Sequence, residues 1–219
     1  MQFIYHKNAG EAQLKLSGDI YHHLFRARRM RKSESLTLRN LRDCNAYFYA
    51  ITNLDKKEAI LTLDSTQITP QLSPKGHLIW AMIDPKSIEK TLPYLNELNL
   101  ACITFFYADF SQKQFKLDIA RIERILENSC EQCGRTTRLK IEILPNLEAV
   151  LQKYPKFAVM DFGAEPLESH NALPIMLGAE GGFSQKERTL LKTQIIFSAP
   201  NCNILRSETA AIYITSKLL

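Results

Sequence analysis

The chain has 219 residues, of which 45% are hydrophobic and 23% charged, with only 8 Gly and 9 Pro. That is enough chain for one large or two small domains, and the balance excludes disordered, collagen-like and coiled-coil classes. The net charge of +5 divides unevenly, with +4 on residues 1–72 and +1 on residues 73–219. The longest apolar runs, such as Leu78–Ile83, are far shorter than a membrane-spanning helix requires. MQFIYHKNAG lacks the apolar core of an export signal, so a soluble, cytoplasmic protein is expected. The 5 cysteines are odd in number and scattered, which suits reduced thiols better than a disulfide framework.

In chain order, the first elements are short runs rich in Leu, Ile, Tyr and Phe: 2–5, 35–41, 46–52 and 59–63. Partial alternation of apolar and polar residues in them predicts a small β domain. Asp19–Met30 reads as a helix, with Ile20, Leu24 and Ala27 at spacings of four and three. Residues 65–76, with Pro70, Pro74 and Gly76 among small polar side chains, read as a linker. We therefore place the domains at 1–68 and 69–219.

Beyond the linker, strands alternate with helices. Strands are expected at 78–83, 101–106, 139–144, 157–160, 175–177 and 195–197. Helices are expected at 85–98, 117–133, 147–154, 185–192 and 206–218. Such alternation predicts a mostly parallel sheet covered by helices. Asp84 with Pro85 reads as a helix start, and Ser184 with Glu187 as a capping box.

Four segments bear on chemistry. Between Arg26 and Arg42 lie Arg26, Arg28, Arg29, Arg31, Lys32, Arg39 and Arg42 against one acid, Glu34. Guanidinium groups on a β domain suit nucleic-acid phosphates, and a solvated basic face is the other reading of the same run. Leu177–Ser184, LGAEGGFS, lies between a strand and a capped helix, where α/β folds bind ligands, although a plain turn has the same composition. It matches neither GxxxxGK(S/T) nor GxGxxG. NILRSETAA, residues 203–211, brings Arg206, Glu208 and Thr209 to the entrance of the last helix. Cys130 and Cys133 form a CxxC with no second ligand pair nearby, so they read as packing residues and no metal is expected.

GAEGGFS followed by ILRSETAA resembles the SPOUT methyltransferases that modify N3 of a uridine in 16S ribosomal RNA, whose pattern is GPEGGFS and then ILRTETA. His23, Leu24 and Arg29 resemble that family's HLxxVLR, and Lys86, Glu97 and Leu98 its next section. Arg121, Glu131, Gln132, Gly134 and Arg135 resemble the family's helix ending in QxGR. Ala179 replaces the proline of GPEGG, Asn99 the glycine of ELG, and Pro200, Asn201 and Asn203 depart from the usual residues before ILR.

The resemblance implies an α/β protein. A small N-terminal PUA-like β-barrel domain for RNA binding would precede a trefoil-knotted SPOUT domain with a mostly parallel sheet, which binds S-adenosylmethionine and dimerises. It implies cofactor contacts from Leu177, Gly178, Gly181, Gly182, Asn201, Asn203, Ile204, Leu205 and Thr209. Arg206, Glu180 and Glu208 become the candidate catalytic residues. RNA contacts fall to His23, Arg26, Arg28, Arg29, Arg31, Lys32, Lys86 and Arg135. The implied partners are 16S ribosomal RNA, within the small ribosomal subunit, and a second copy of the chain, with neither membrane nor metal. A non-catalytic RNA-binding protein on the same scaffold, and a methyltransferase for a different RNA, share these motifs.

Overall fold

The computed structural model describes residues 2–70, 73–164, 173–199 and 203–218. They form two compact units: Met1–Leu72 with Glu127–Arg138, and Ser73–Leu126 with Leu139–Leu219.

The first unit is built on a five-stranded sheet of order β1-β3-β4-β5-β2, comprising Ile4–Tyr5, Ser35–Arg39, Asn45–Leu54, Glu58–Ile68 and Gln13–Ser17. Pairing is antiparallel except between β1 and β3. Strand β2, QLKLS, buries Leu14 and Leu16 and exposes its neighbours, a period-two pattern short enough to be missed in the sequence. Strand β5 continues to Ile68, so the linker is shorter than its composition suggested.

The expected helix at 19–30 is only partly α. One turn, α1 (Gly18–Tyr21), widens into a π-helical turn, His22–Ala27, in which Arg28 N donates to His23 O at 3.0 Å. Tyr21, Leu24 and Phe25 are buried by this wide turn, while His22, His23 and Arg26 are exposed. The turn is pinned by two side chains, Tyr21 Oη donating to Asp55 O at 2.6 Å and Arg26 Nη2 to Lys56 O at 2.9 Å. It ends at Arg29, whose φ of +56° turns the chain sharply.

The second unit holds a six-stranded sheet of order β11-β9-β10-β6-β7-β8, parallel at every pair. Its strands are β6 (Lys75–Ala81), β7 (Leu100–Phe106), β8 (Lys140–Leu144), β9 (Ala158–Met160), β10 (Ile175–Leu177) and β11 (Ile195–Phe197). The helices are α2 (Pro85–Glu97), α3 (Ile119–Cys133), α4 (Leu147–Lys153), α5 (Gln185–Leu191) and α6 (Ser207–Lys217); the last seven residues of α3 group with the first unit. Leu78–Met82 of the central strand and its end are wholly buried, Trp80 included, as a strand covered on both faces must be. Two neighbours of β6 in sequence, β7 and β8, extend the sheet one way. The chain then crosses to β9, and β10 fills the place between β9 and β6. That change of direction puts the carboxyl ends of β9, β10 and β11 at a switch point, where open α/β sheets bind ligands.

Two helix starts differ in how they are capped. Asp84 makes no side-chain cap and serves only through its carbonyl, which accepts from Ile88 N at 3.1 Å, with Pro85 opening the helix. Ser184 and Glu187 form the full reciprocal box. Glu187 is only 3% exposed, and its carboxylate accepts from Ser184 N at 2.9 Å and Asp109 N at 3.0 Å, tying the loop after β7 to α5. Glu187→Ala strands both amides, so it should cost about 2–4 kcal/mol in chemical denaturation, against about 1 kcal/mol for Ser184→Ala. Equal losses would show that the link to Asp109 carries no stability.

Cys130 is buried with Phe3 and Leu41, and Cys44, Cys102, Cys130 and Cys133 are free thiols. Among the described residues no group of His, Cys, Asp and Glu is arranged to hold a metal ion, and no helix is long and apolar enough to cross a membrane.

Candidate cofactor cavity and basic surface

The loops that leave β9, β10 and β11 enclose a cavity of about 680 Å³. The β10 loop contributes Leu177–Glu180, Gly182 and Phe183; the β9 loop contributes Met160–Gly163; the segment entering α6 contributes Asn203–Glu208 and Ala210.

The β10 loop is a tight turn. Gly182 N donates to Ala179 O at 2.8 Å, and Ala179 and Gly182 form an isolated antiparallel bridge. A Cβ on Gly178 would lie 3.0–3.1 Å from the backbone of Gly182, and Gly182 itself has φ +71°, so both glycines are demanded by the backbone. Gly181 is set differently: it does not line the cavity, and a Cβ there would meet the Phe110 ring at 3.2 Å.

One hydroxyl ties the turn to the last helix. Trp80 Nε1 donates to Ser207 Oγ at 2.8 Å, and Ser207 Oγ donates to Gly178 O at 3.2 Å. Arg206 occupies the N-cap position in extended conformation and is exposed at the cavity, while Glu208 lies in the first turn of α6. The N-terminal end of a helix dipole therefore borders the cavity, beside the two carboxylates of Glu180 and Glu208.

The β9 loop was not singled out in the sequence, yet Asp161, Phe162 and Gly163 all line the cavity. Asp161 is held by a two-pronged bond from Arg188, Nε at 2.7 Å and Nη2 at 3.1 Å, and its own carboxylate accepts from Phe162 N at 2.9 Å. The ion pair raises the Arg188 pKa further above its ordinary value. An Asp and a Gly directly after a short apolar strand was the available signal. Ser198, from the end of β11, completes the wall and donates to Ala164 O at 2.5 Å.

The residues expected to touch a cofactor thus separate into groups. Leu177, Gly178, Gly182, Asn203, Ile204 and Leu205 line the cavity, as do Arg206, Glu180 and Glu208. Gly181 and Thr209 are not part of its lining, and Asn201 lies outside the described residues.

The basic run in the first unit is also sorted by burial. Arg26, Arg28, Arg29, Arg31, Lys32 and Arg42 are exposed, with His23 beside them. Arg39 is buried, donating to Thr69 Oγ1 at 2.8 Å and lying over the Phe3 ring at 5.4 Å, so it supports the fold. Arg135 must be corrected in the same way. It is 4% exposed and donates from Nε to Thr137 O at 2.8 Å, which withdraws it from any ligand surface. Lys86, in the second unit, is exposed on the first turn of α2.

A glycine-tight loop over a cavity at a parallel-sheet switch point, preceded by a basic β unit, has the organisation of an RNA-modifying transferase. Comparison with known families agrees: residues 70–219 match the RNA methyltransferase domain, and residues 16–64 the RNA methyltransferase PUA domain. The ribosomal RNA small subunit methyltransferase E of Helicobacter pylori is 41% identical over 222 residues, covering 99% of this chain and 98% of that protein. The chain belongs to the ribosomal RNA small subunit methyltransferase E family.

Solved structures share the fold. Lpg2936 of Legionella pneumophila, in complex with bound SAM, superposes with a TM-score of 0.83 at 26% identity, covering 99% of this chain and 96% of that one. The ribosomal RNA small subunit methyltransferase E of Neisseria gonorrhoeae, bound to S-adenosyl methionine, superposes with a TM-score of 0.82 at 23% identity, covering 99% and 95%.

Proposed function

We propose that the protein transfers a methyl group from S-adenosylmethionine to N3 of a uridine in 16S ribosomal RNA. The observation that carries this reading is the cavity itself, with main chain brought close by Gly178 and Gly182 and with carboxylates on its wall. The residues suit the cofactor. Leu177, Ile204, Leu205 and Met160 offer apolar surface for a nucleoside, backbone groups of the β10 loop offer donors and acceptors, and Glu180 and Glu208 offer negative charge to a cation. When bound, the cofactor supplies a methyl group on a positively charged sulfur.

The protein's own part is to prepare the nucleophile. Uracil N3 attacks well only as the anion, after its proton has left, and Arg206, in the cavity lining, is the candidate to stabilise that charge. Glu180 and Glu208 are the candidate proton acceptors, since both reach the cavity as carboxylates. Charge on the base and charge on the sulfonium cancel as the bond forms, so a site that replaces water by fixed dipoles and holds the partners in line favours the step.

In this reading residues 1–68 hold the RNA, and residues 69–219 hold the cofactor, form the knot and pair with a second copy in the cytoplasm. Arg29, Arg31 and Lys32 meet phosphates. Replacing Arg29, Arg31 and Lys32 by alanine should flatten the plot of log affinity against log salt by about 0.7–0.9 per lost contact, and leave cofactor affinity unchanged. An unaltered slope would make the run a solvated face.

The whole reading is tested by incubating the purified protein with methyl-labelled S-adenosylmethionine and small ribosomal subunits from a strain lacking the gene. Label recovered as N3-methyluridine from 16S ribosomal RNA supports it. Label in another nucleoside or another RNA overturns the assignment of the base or the substrate.

A further inference from the structure

The first unit has a cavity of its own, of about 500 Å³, between the π-helical turn and the last turns of α3. Nothing in the methyl-transfer chemistry uses it. Ile4, Ile20 and Leu24 give it an apolar part, and its volume falls within the roughly 300–1,000 Å³ of small-molecule sites. Glu131 and Gln132 enter from α3, and His23 and Arg28 from the turn.

Glu131 is fixed in place from two sides. Its Oε1 accepts from Tyr5 N at 2.7 Å, and its carbonyl accepts from Gln2 N at 2.7 Å, so the first strand sets the direction of the carboxylate. Burial pushes its pKa up, opposed by the Tyr5 amide and by the charges of His23 and Arg28. A second carboxylate, Asp19, lines the same cavity. Arg28 and His23 balance the two acids within the cavity, which suits an uncharged occupant that donates hydrogen bonds to Glu131 and leaves the exposed arginines outside the cavity as the phosphate sites.

We propose that this cavity receives an unpaired guanine base of the RNA, a proposal that rests on the first unit being the RNA-binding part. Guanine presents two adjacent donors, N1–H and N2–H, which match the two oxygens of a carboxylate, and its O6 suits the Gln132 amide. Adenine and cytosine turn a ring-nitrogen acceptor toward that same edge, and leaving a carboxylate facing an acceptor is costly. The planar Arg28 guanidinium and the His23 ring are the stacking surfaces that unpaired bases use.

The test is fluorescence anisotropy of the full protein with short oligouridines carrying one central guanosine, inosine or adenosine. Guanosine should bind about 10-fold tighter than adenosine, with inosine, which lacks the 2-amino group, in between. In Glu131→Gln, which keeps an acceptor for Tyr5 N–H, the preference should vanish while the salt dependence stays. Gln132→Ala, an exposed position, should reduce the preference without touching the fold. If all three oligonucleotides bind equally, with normal salt dependence, the guanine pocket is overturned and RNA binding stands. If none binds, the RNA-binding assignment of the unit falls as well.

Discussion

Arg206→Ala is expected to lower single-turnover methylation by roughly 10²–10³ while RNA binding changes far less, because a lost anion-stabilising group acts on the transition state. Arg206→Lys should recover only part of the rate, since an ammonium on a flexible stem cannot hold a carbonyl and a phosphate in one plane. The position makes a structural alternative easy to separate. Arg206 is exposed, and its carbonyl, which survives any substitution, is what accepts from Ala210 N at 2.9 Å in the first turn of α6. A loss of thermal stability together with cofactor affinity would therefore assign Arg206 to the fold, and a stable variant with normal rates would pass the question to Glu180 and Glu208.

The second large effect concerns the cofactor. Gly178→Val should abolish measurable heat in a titration with S-adenosylmethionine, a loss of at least about 100-fold, because a Cβ at that site is already 3.0–3.1 Å from Gly182 backbone and valine adds two further methyl groups. Gly181→Val is the contrasting variant. It crowds the Phe110 ring, a side chain that can turn aside, so affinity should fall by much less. Equal losses at both positions would mean that the loop collapses as a whole and that Gly178 has no special place in it.

Much of this was legible before any coordinates. In the second unit, strand and helix alternate with clear starts, and the capping box of Ser184 and Glu187 formed as spaced. LGAEGGFS marked the cavity because glycine demand is a local, steric property, visible wherever a chain must turn tightly. Three kinds of feature were not legible. The order of parallel strands is set by long-range pairing, so the insertion of β10 between β9 and β6, which creates the switch point, has no local signature. Burial of a charged side chain depends on distant neighbours. Arg39 and Arg135 look like Arg29 and Arg31 in sequence, yet the first two are packed inside. The side to which a residue points inside a loop is likewise a three-dimensional fact, which is why Gly181, adjacent to Gly182, faces Phe110 and Asp161, gripped by Arg188, lines the cavity.

The π-helical turn at His22–Ala27 belongs to the same class. Spacings of four and three predicted an ordinary helix there, and a wider turn stands instead, with Tyr21 and Arg26 donating to Asp55 O and Lys56 O. The widening keeps Leu24 and Phe25 inside while His23 and Arg28 face the second cavity. A local distortion of helix geometry thus accompanies a cavity lining, and such turns are frequent at functional sites.

The most direct test of the account is mass mapping of 16S ribosomal RNA from cells in which the gene has been deleted. The account predicts that one uridine becomes lighter by a single methyl group, and that purified protein with S-adenosylmethionine restores it at N3. A 16S ribosomal RNA whose uridine methylation is unchanged by the deletion would contradict it.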